Sequence, residues 1–284
     1  NNIYVLENNG RLKWRYKTGS YVRSSSAIGD INDDGALEII MGSYDDNIYV
    51  LNKDGELLWK KNIGSRIFSS PSLVDIDGNN KLDIVVCSFN GSVLVLRGEN
   101  GTTLWKVELS AQIWSSPAVG DLDKDAKPEI VVCTNNGSIY TINNDGTILW
   151  RSTPVINYTY WITSPTLADM DDDTILDVIC GSIDGNLYII DGFDGKILTH
   201  FSTNSAIEKT TPVVLDVDGD DQLEVLFGCR DGTFYAVKVL GSGYRIYWQG
   251  YSGDYYFHRV KNQKFVDQDL DMLSDYSESV IGTD

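Results

Sequence analysis

Acidic side chains recur in this chain at one fixed spacing. The segment from Asp30 reads D-I-N-D-D-G-A-L-E, and related segments start at Asp75, Asp121, Asp169, Asp216 and Asp267. Each places an oxygen-bearing side chain at relative positions 1, 3, 5 and 9. The first two sets are Asp30, Asn32, Asp34 and Glu38, then Asp75, Asp77, Asn79 and Asp83. The middle two are Asp121, Asp123, Asp125 and Glu129, then Asp169, Asp171, Asp173 and Asp177. The last two are Asp216, Asp218, Asp220 and Glu224, then Asp267, Asp269, Asp271 and Asp275. Oxygens at alternate positions can wrap a hard cation. A backbone carbonyl at position 7 and water would complete the roughly six or seven ligands that Ca²⁺ accepts. Mg²⁺ fits less well, because it demands octahedral geometry and gives up water reluctantly. The expectation is up to six Ca²⁺ ions in a structural role.

The charge balance agrees. The 284 residues include 41 acidic and 23 basic side chains, a formal net charge of −18. The loop positions hold 22 of the acids, so the rest of the chain carries 19 acids against 23 bases. All the net acidity therefore resides in the loops. Asp and Asn are good turn formers, but turn propensity alone does not repeat one spacing six times. Without a cation the clustered carboxylates repel, so the loops should loosen or their pKa values rise. Loops with four carboxylates should bind tighter than the two that contain Asn, since ligand charge tunes affinity. The loop from Asp75, without an acid at position 5, and that from Asp267, with Ser274 at an otherwise apolar place, are expected to be atypical.

Successive loops start 45 to 51 residues apart, so the chain is a repeat protein. Its termini complete one further unit. Ser279 to Asp284 followed by Asn1 to Leu6 mimics Glu38 to Leu51, so the last repeat is assembled from both ends. A linear solenoid has no use for such matching, whereas a closed ring does. Within the third repeat four short strands are predicted, over Ser115 to Leu122, Glu129 to Thr134, Ser138 to Ile142 and Thr147 to Arg151. Asn136-Gly137 and Asp145-Gly146 supply hairpin turns between them. Pro71, Pro117, Pro165 and Pro212 share one place early in the first strand, which suits an edge strand beside the axis. Trp14, Trp59, Trp105 and Trp150 recur four residues after a turn glycine and are expected to pack blade against blade.

The predicted fold is all-β, a six-bladed β-propeller of four-stranded antiparallel blades whose last blade is composite. It forms a single domain over residues 1–284. The blades cover about 21–65, 66–110, 111–155, 156–204, 205–250, and 251–284 plus 1–20.

Recognition is expected on the face opposite the acidic loops, where the crossings between blades are irregular. Arg23, Phe68, Trp114 and Lys209 stand seven residues before their loops, with Tyr160, Trp161, His258 and Arg259 beside equivalent places. Aromatic and cationic groups at such a mouth would bind a glycan or an acidic protein segment.

The acidity argues against nucleic acid as a partner. No stretch of about 18 apolar residues is present to form a spanning helix. Asn1 to Tyr4 do not resemble a signal peptide, so a mature or excised piece is expected. The two histidines, His200 and His258, lie in no local nucleophile, zinc or phosphate motif, and no catalytic residue is assigned. Cys87, Cys133, Cys180 and Cys229 sit at or beside one repeated second-strand position and are expected to be free thiols.

These D-x-D-x-D-G-x-x-D/E loops resemble the FG-GAP/VCBS repeats of integrin α-type propellers. The D-G-x-x-L-W endings at Asp54 to Trp59 and Asp145 to Trp150 are also similar to quinoprotein, PQQ-type propeller repeats. The resemblance implies Ca²⁺-bound blades, an extracellular, cell-surface or periplasmic setting and a place within a larger surface protein. The expected role is a non-enzymatic recognition or adhesion module. The alternative is a carbohydrate-active propeller, lyase or glycosidase-like, with its site at the channel mouth.

Overall fold

The computed structural model describes residues 1–154, 163–203, 205–208, 210–217 and 223–238. The described elements are strands, grouped into separate antiparallel sheets that follow one another along the chain. Strands β1 (Asn2–Leu6) and β2 (Leu12–Lys17) pair as a hairpin. The first full sheet is β3 (Ala27–Gly29), β4 (Glu38–Gly42), β5 (Asn47–Leu51) and β6 (Leu57–Asn62). The second is β7 (Ser72–Val74), β8 (Asp83–Cys87), β9 (Ser92–Arg97) and β10 (Thr103–Glu108). The third is β11 (Ala118–Gly120), β12 (Glu129–Cys133), β13 (Ile139–Ile142) and β14 (Ile148–Ser152). The fourth is β15 (Thr166–Ala168), β16 (Asp177–Gly181), β17 (Asn186–Ile190) and β18 (Ile197–Ser202). A fifth begins with β19 (Val213–Leu215), β20 (Glu224–Gly228) and β21 (Phe234–Lys238).

Strand order within each sheet is sequential, as in a propeller blade. First and second strands pair in one register throughout: Ala27 faces Ile40, Ser72 faces Val85, Ala118 faces Val131 and Thr166 faces Ile179. Third and fourth strands share a register shift near the end of the third strand, as between Val50 and Leu51 or Ile189 and Ile190. A bulge there deepens the twist that lets flat sheets fan around an axis.

The core lies between blades. Ile40, Ile48 and Val50 of the first blade pack with Leu73, Ile84 and Val86 of the second, and the pattern continues into the next three. Second strands β8, β12 and β16 are buried on both faces, so after a leading acid they read as apolar runs. Fourth strands β6 and β10 alternate between exposed and half-buried positions, in keeping with the outer rim.

Two side-chain belts key the blades together. Near the axis, Ser25 N donates to Ser70 Oγ, Ser70 N to Ser116 Oγ and Ser116 N to Ser164 Oγ, each at 2.9 Å. At the rim the indole N–H of Trp14, Trp59, Trp105 and Trp150 donates to a carbonyl of the next blade's outer turn, at Lys53, Gly98, Asn144 and Gly192. The indoles lie on the turn glycines: a Cβ at Gly195, whose φ is +73°, would sit 2.6 Å from Trp150. The expected blade-to-blade role of the tryptophans is therefore present from β2 through β14.

The predicted first strand, Ser115 to Leu122, is too long. Regular pairing runs only over Ala118–Gly120. Pro117 offers no amide, and the Ser115 hydroxyl bridges to the end of the neighbouring strand instead, accepting from Cys133 N and donating to Cys133 O. The equivalent Ser69 does the same at Cys87. The four cysteines are free thiols, and three of them are buried. The predicted joining of the sixth blade to the others falls on residues beyond 238, outside those described.

Candidate functional site

Each of the first four acidic loops joins a first strand to a second and folds by closely related internal hydrogen bonds. The position-1 carboxylate caps two backbone amides: Asp169 accepts from Asp172 N and Thr174 N, both at 2.9 Å, and Asp121 from Lys124 N and Ala126 N. Positions 4 and 6 take left-handed backbone. Gly35 and Gly78 adopt it easily, whereas Ala126 (φ 66°) and the β-branched Thr174 (φ 73°) adopt it against their preference. A left-handed threonine is strained, so the surrounding bonds must hold it in place. The position-9 carboxylate heads the second strand and is buried. Glu38, Asp83, Glu129 and Asp177 accept from the backbone N–H of Ile31, Ile76, Leu122 and Met170.

Positions 1, 3 and 9 converge. Asp75, Asp77 and Asp83, then Asp121, Asp123 and Glu129, then Asp169, Asp171 and Asp177, bring carboxylate oxygens within 4.8 Å of one another. Position 5 behaves differently from the expected four-point wrap. Asp34, Asn79, Asp125 and Asp173 turn back to accept the amide of position 7. With position 5 drawn back, the converging set has three members.

The electrostatics favour a positive charge among these carboxylates. Burial, with the neighbouring carboxylates adding to it, pushes the pKa of Glu129 up to about 8 and that of Asp177 up to about 8. Asp83 is raised to about 6, chiefly by burial and then by Asp77. Glu38 is raised as well, and its Oε1 is fully buried with no hydrogen-bond partner. Hard oxygen donors, mutual repulsion and an orphaned buried oxygen suit a hard divalent cation. In the fifth loop, Asp216 and Glu224 are described and Glu224 accepts from Val217 N, while Asp218 and Asp220 are not. Asp267, Asp269, Asp271 and Asp275 also lie outside the described residues.

On the opposite edge, crossings and inner turns interlock. Tyr44 N donates to Tyr21 O, Phe89 N to Arg66 O and Asn135 N to Gln112 O. Two of the aromatic candidates, Phe68 and Trp114, meet with centroids 4.2 Å apart. Tyr44 lies 4.3 Å from Phe68, Phe89 lies 5.2 Å from Trp114, and the Arg23 guanidinium sits 5.3 Å above the Tyr44 ring. The result is one half-exposed arc of rings with exposed Arg23 at its end and Tyr21 edge-on to Tyr44.

Tyr44 and Phe89 were not singled out by sequence. They stand fourteen residues after their loop starts, where Asn135, Ile183 and Arg230 occupy the other blades. Variability at that repeat position was the available signal.

The fifth blade corrects one register. Ile207 N bonds Ser182 O as Ile67 N bonds Ser43 O, so Glu208, not Lys209, takes the place of Phe68. Glu208 meets Arg230 at 3.6 Å, an ion pair where the second blade has the rings of Phe68 and Phe89. One extra residue in that crossing displaces the count. Tyr160, Trp161, Lys209, His258 and Arg259 themselves lie outside the described residues. No described helix is long and apolar enough to cross a membrane.

Comparisons with known proteins bear on the fold. BamB from Moraxella catarrhalis superposes with a TM-score of 0.61 at 19% identity, covering 84% of this chain and 66% of that one. Saccharomyces cerevisiae Sqt1 gives 0.60 at 18% identity, covering 82% and 65%. BBS1N, solved in complex with ARL6DN, gives 0.59 at 12% identity, covering 84% and 71%. The chain thus spans just under two thirds of the first two structures, and at these identities the likeness establishes the fold alone. No curated protein matches the chain. The model of the lambda-carrageenase β-propeller domain matches residues 1–80 and 83–211. With most of its length matched, the chain belongs to the lambda-carrageenase β-propeller domain family.

Proposed function

We propose that this chain is a Ca²⁺-stabilised, six-bladed propeller that binds an anionic glycan at the mouth opposite its acidic loops. The observation that carries the reading is the continuous arc of Tyr44, Phe68, Phe89 and Trp114 with Arg23 over its first ring. Aromatic faces stack on the apolar faces of pyranose rings, and a guanidinium pairs with sulfate or carboxylate. A family named for a carrageenase, and hence for a sulfated galactan, supports that ligand class. Six copies of the loop spacing, with β1 and β2 supplying outer strands for a composite last blade, support the ring of six. The FG-GAP/VCBS-like spacing supports calcium and an extracellular or cell-surface location for a recognition or adhesion module.

The test is binding of the full chain to carrageenan and to uncharged agarose, followed by isothermal calorimetry. Carrageenan should bind and agarose should not. Phe68→Ala with Trp114→Ala should weaken binding at least about tenfold while melting stays cooperative, since each stacked ring is worth on the order of 1 kcal/mol. Unaltered binding in that variant would discard the mouth as the site.

A second reading follows from the family name: the propeller holds a polysaccharide that the same protein cleaves. New reducing or unsaturated ends released from carrageenan would favour it, and binding without release favours the module.

A further inference from the structure

The residue at the end of each third strand stands beside the acidic loop, and its type differs between blades. It is Asn52, Arg97, Asn143, Asp191 and Lys238 in the five blades, twenty-two residues after each loop start. In the second blade Arg97 Nη2 lies 2.9 Å from Asp77 Oδ2, a member of the converging triad. In the fifth, Lys238 Nζ forms a longer ion pair, 3.8 Å from Glu224 Oε1 and without a hydrogen bond to it. The first blade offers the contrast. Glu38 Oε1 is the equivalent buried oxygen and, like Glu224 Oε1, has no hydrogen-bond partner, but the strand end here carries the neutral Asn52, whose side chain turns onto Asp54 and Glu56. In the third blade the nearby Lys127 pairs with Asp125, the position-5 carboxylate outside the triad.

We propose that this strand-end residue decides which loops take a divalent cation. Arg97 and Lys238 occupy the cation position of their own loops as tethered charges, and the loops from Asp30, Asp121 and Asp169 bind the ion. The inference rests on the reading of the loops as Ca²⁺ sites. A guanidinium at hydrogen-bond distance satisfies a carboxylate without the ion's dehydration, and it repels a second positive charge. In the fourth blade Asp191 adds a negative charge at the same place. The spread of ligand charge between these loops is the variable that tunes calcium affinity over decades.

Equilibrium dialysis of the full chain against Ca²⁺, with native mass spectrometry, counts the ions. Arg97→Gln and Lys238→Gln should each raise the count by one, and Asn143→Arg should lower it by one. The sixth loop contributes equally to every variant, so the differences decide. Melting in EDTA gives the second readout: Arg97→Gln should gain a Ca²⁺-dependent rise in Tm beyond that of the unaltered chain. A wild-type chain that binds no Ca²⁺ overturns the calcium reading and this inference with it. A chain that binds Ca²⁺, with counts unmoved in folded Arg97→Gln and Asn143→Arg, overturns this inference alone.

Discussion

Asp177→Asn should stabilise the metal-free protein at alkaline pH and destabilise it in calcium. The carboxylate is 2% exposed, accepts Met170 N at 2.8 Å and stands among Asp169, Asp171 and Asp173. Burial first, and those neighbours next, raise its pKa from 3.8 to about 8. A folded-state pKa above the unfolded one means that stability is fully present below about pH 4. It is lost as pH rises through about 8. A shift of about four units corresponds to on the order of 5 kcal/mol at its ceiling, and loop relaxation would reduce it. Asparagine keeps the acceptor for Met170 N and carries no charge. Urea unfolding in EDTA at pH 8.5 should therefore show the variant more stable by a few kcal/mol, and at pH 5 the gap should shrink. In saturating Ca²⁺ the order should reverse, because the ion loses an anionic ligand. A variant that is equally destabilised in EDTA and in Ca²⁺ at pH 8.5 would refute this account of the loops.

Trp150→Ala should cost about 3–5 kcal/mol, since the ring is 8% exposed and locks onto the turn at Gly192 and Gly195. Trp150→Phe isolates the indole hydrogen bond and should cost nearer 1 kcal/mol in chemical denaturation. Ser116→Ala removes the acceptor for Ser70 N in a buried setting and should cost about 1–3 kcal/mol, read as a lowered denaturation midpoint.

The blade repeat was legible because repetition multiplies a weak signal. One D-x-D spacing is a turn; six in series, with tryptophans and prolines at matching offsets, locate loops, rim and axis. The strand boundaries around Ser115 were less legible. A hydroxyl that substitutes for backbone pairing leaves the sequence looking extended while the ladder has stopped. Position 5 was less legible, since an aspartate can serve a cation, its own loop's amide or both, and spacing does not distinguish these. The mouth was half legible. Arg23, Phe68 and Trp114 come from irregular crossings, but their partners Tyr44 and Phe89 arrive from turns some twenty residues later. Only the folded blade sets the two together. The displaced register at Glu208 has the same origin, one inserted residue that counting from the loop could not see.

The seryl relay beside the axis has a modular consequence. Each of the three joints from Ser25 to Ser164 is made by one amide and one hydroxyl of the same kind, so these units present the same plug and socket. Such a joint does not record which neighbour it meets. A gene that gained or lost one such unit would leave no unmatched connector behind, and the number of blades would be free to drift while the joinery stayed the same.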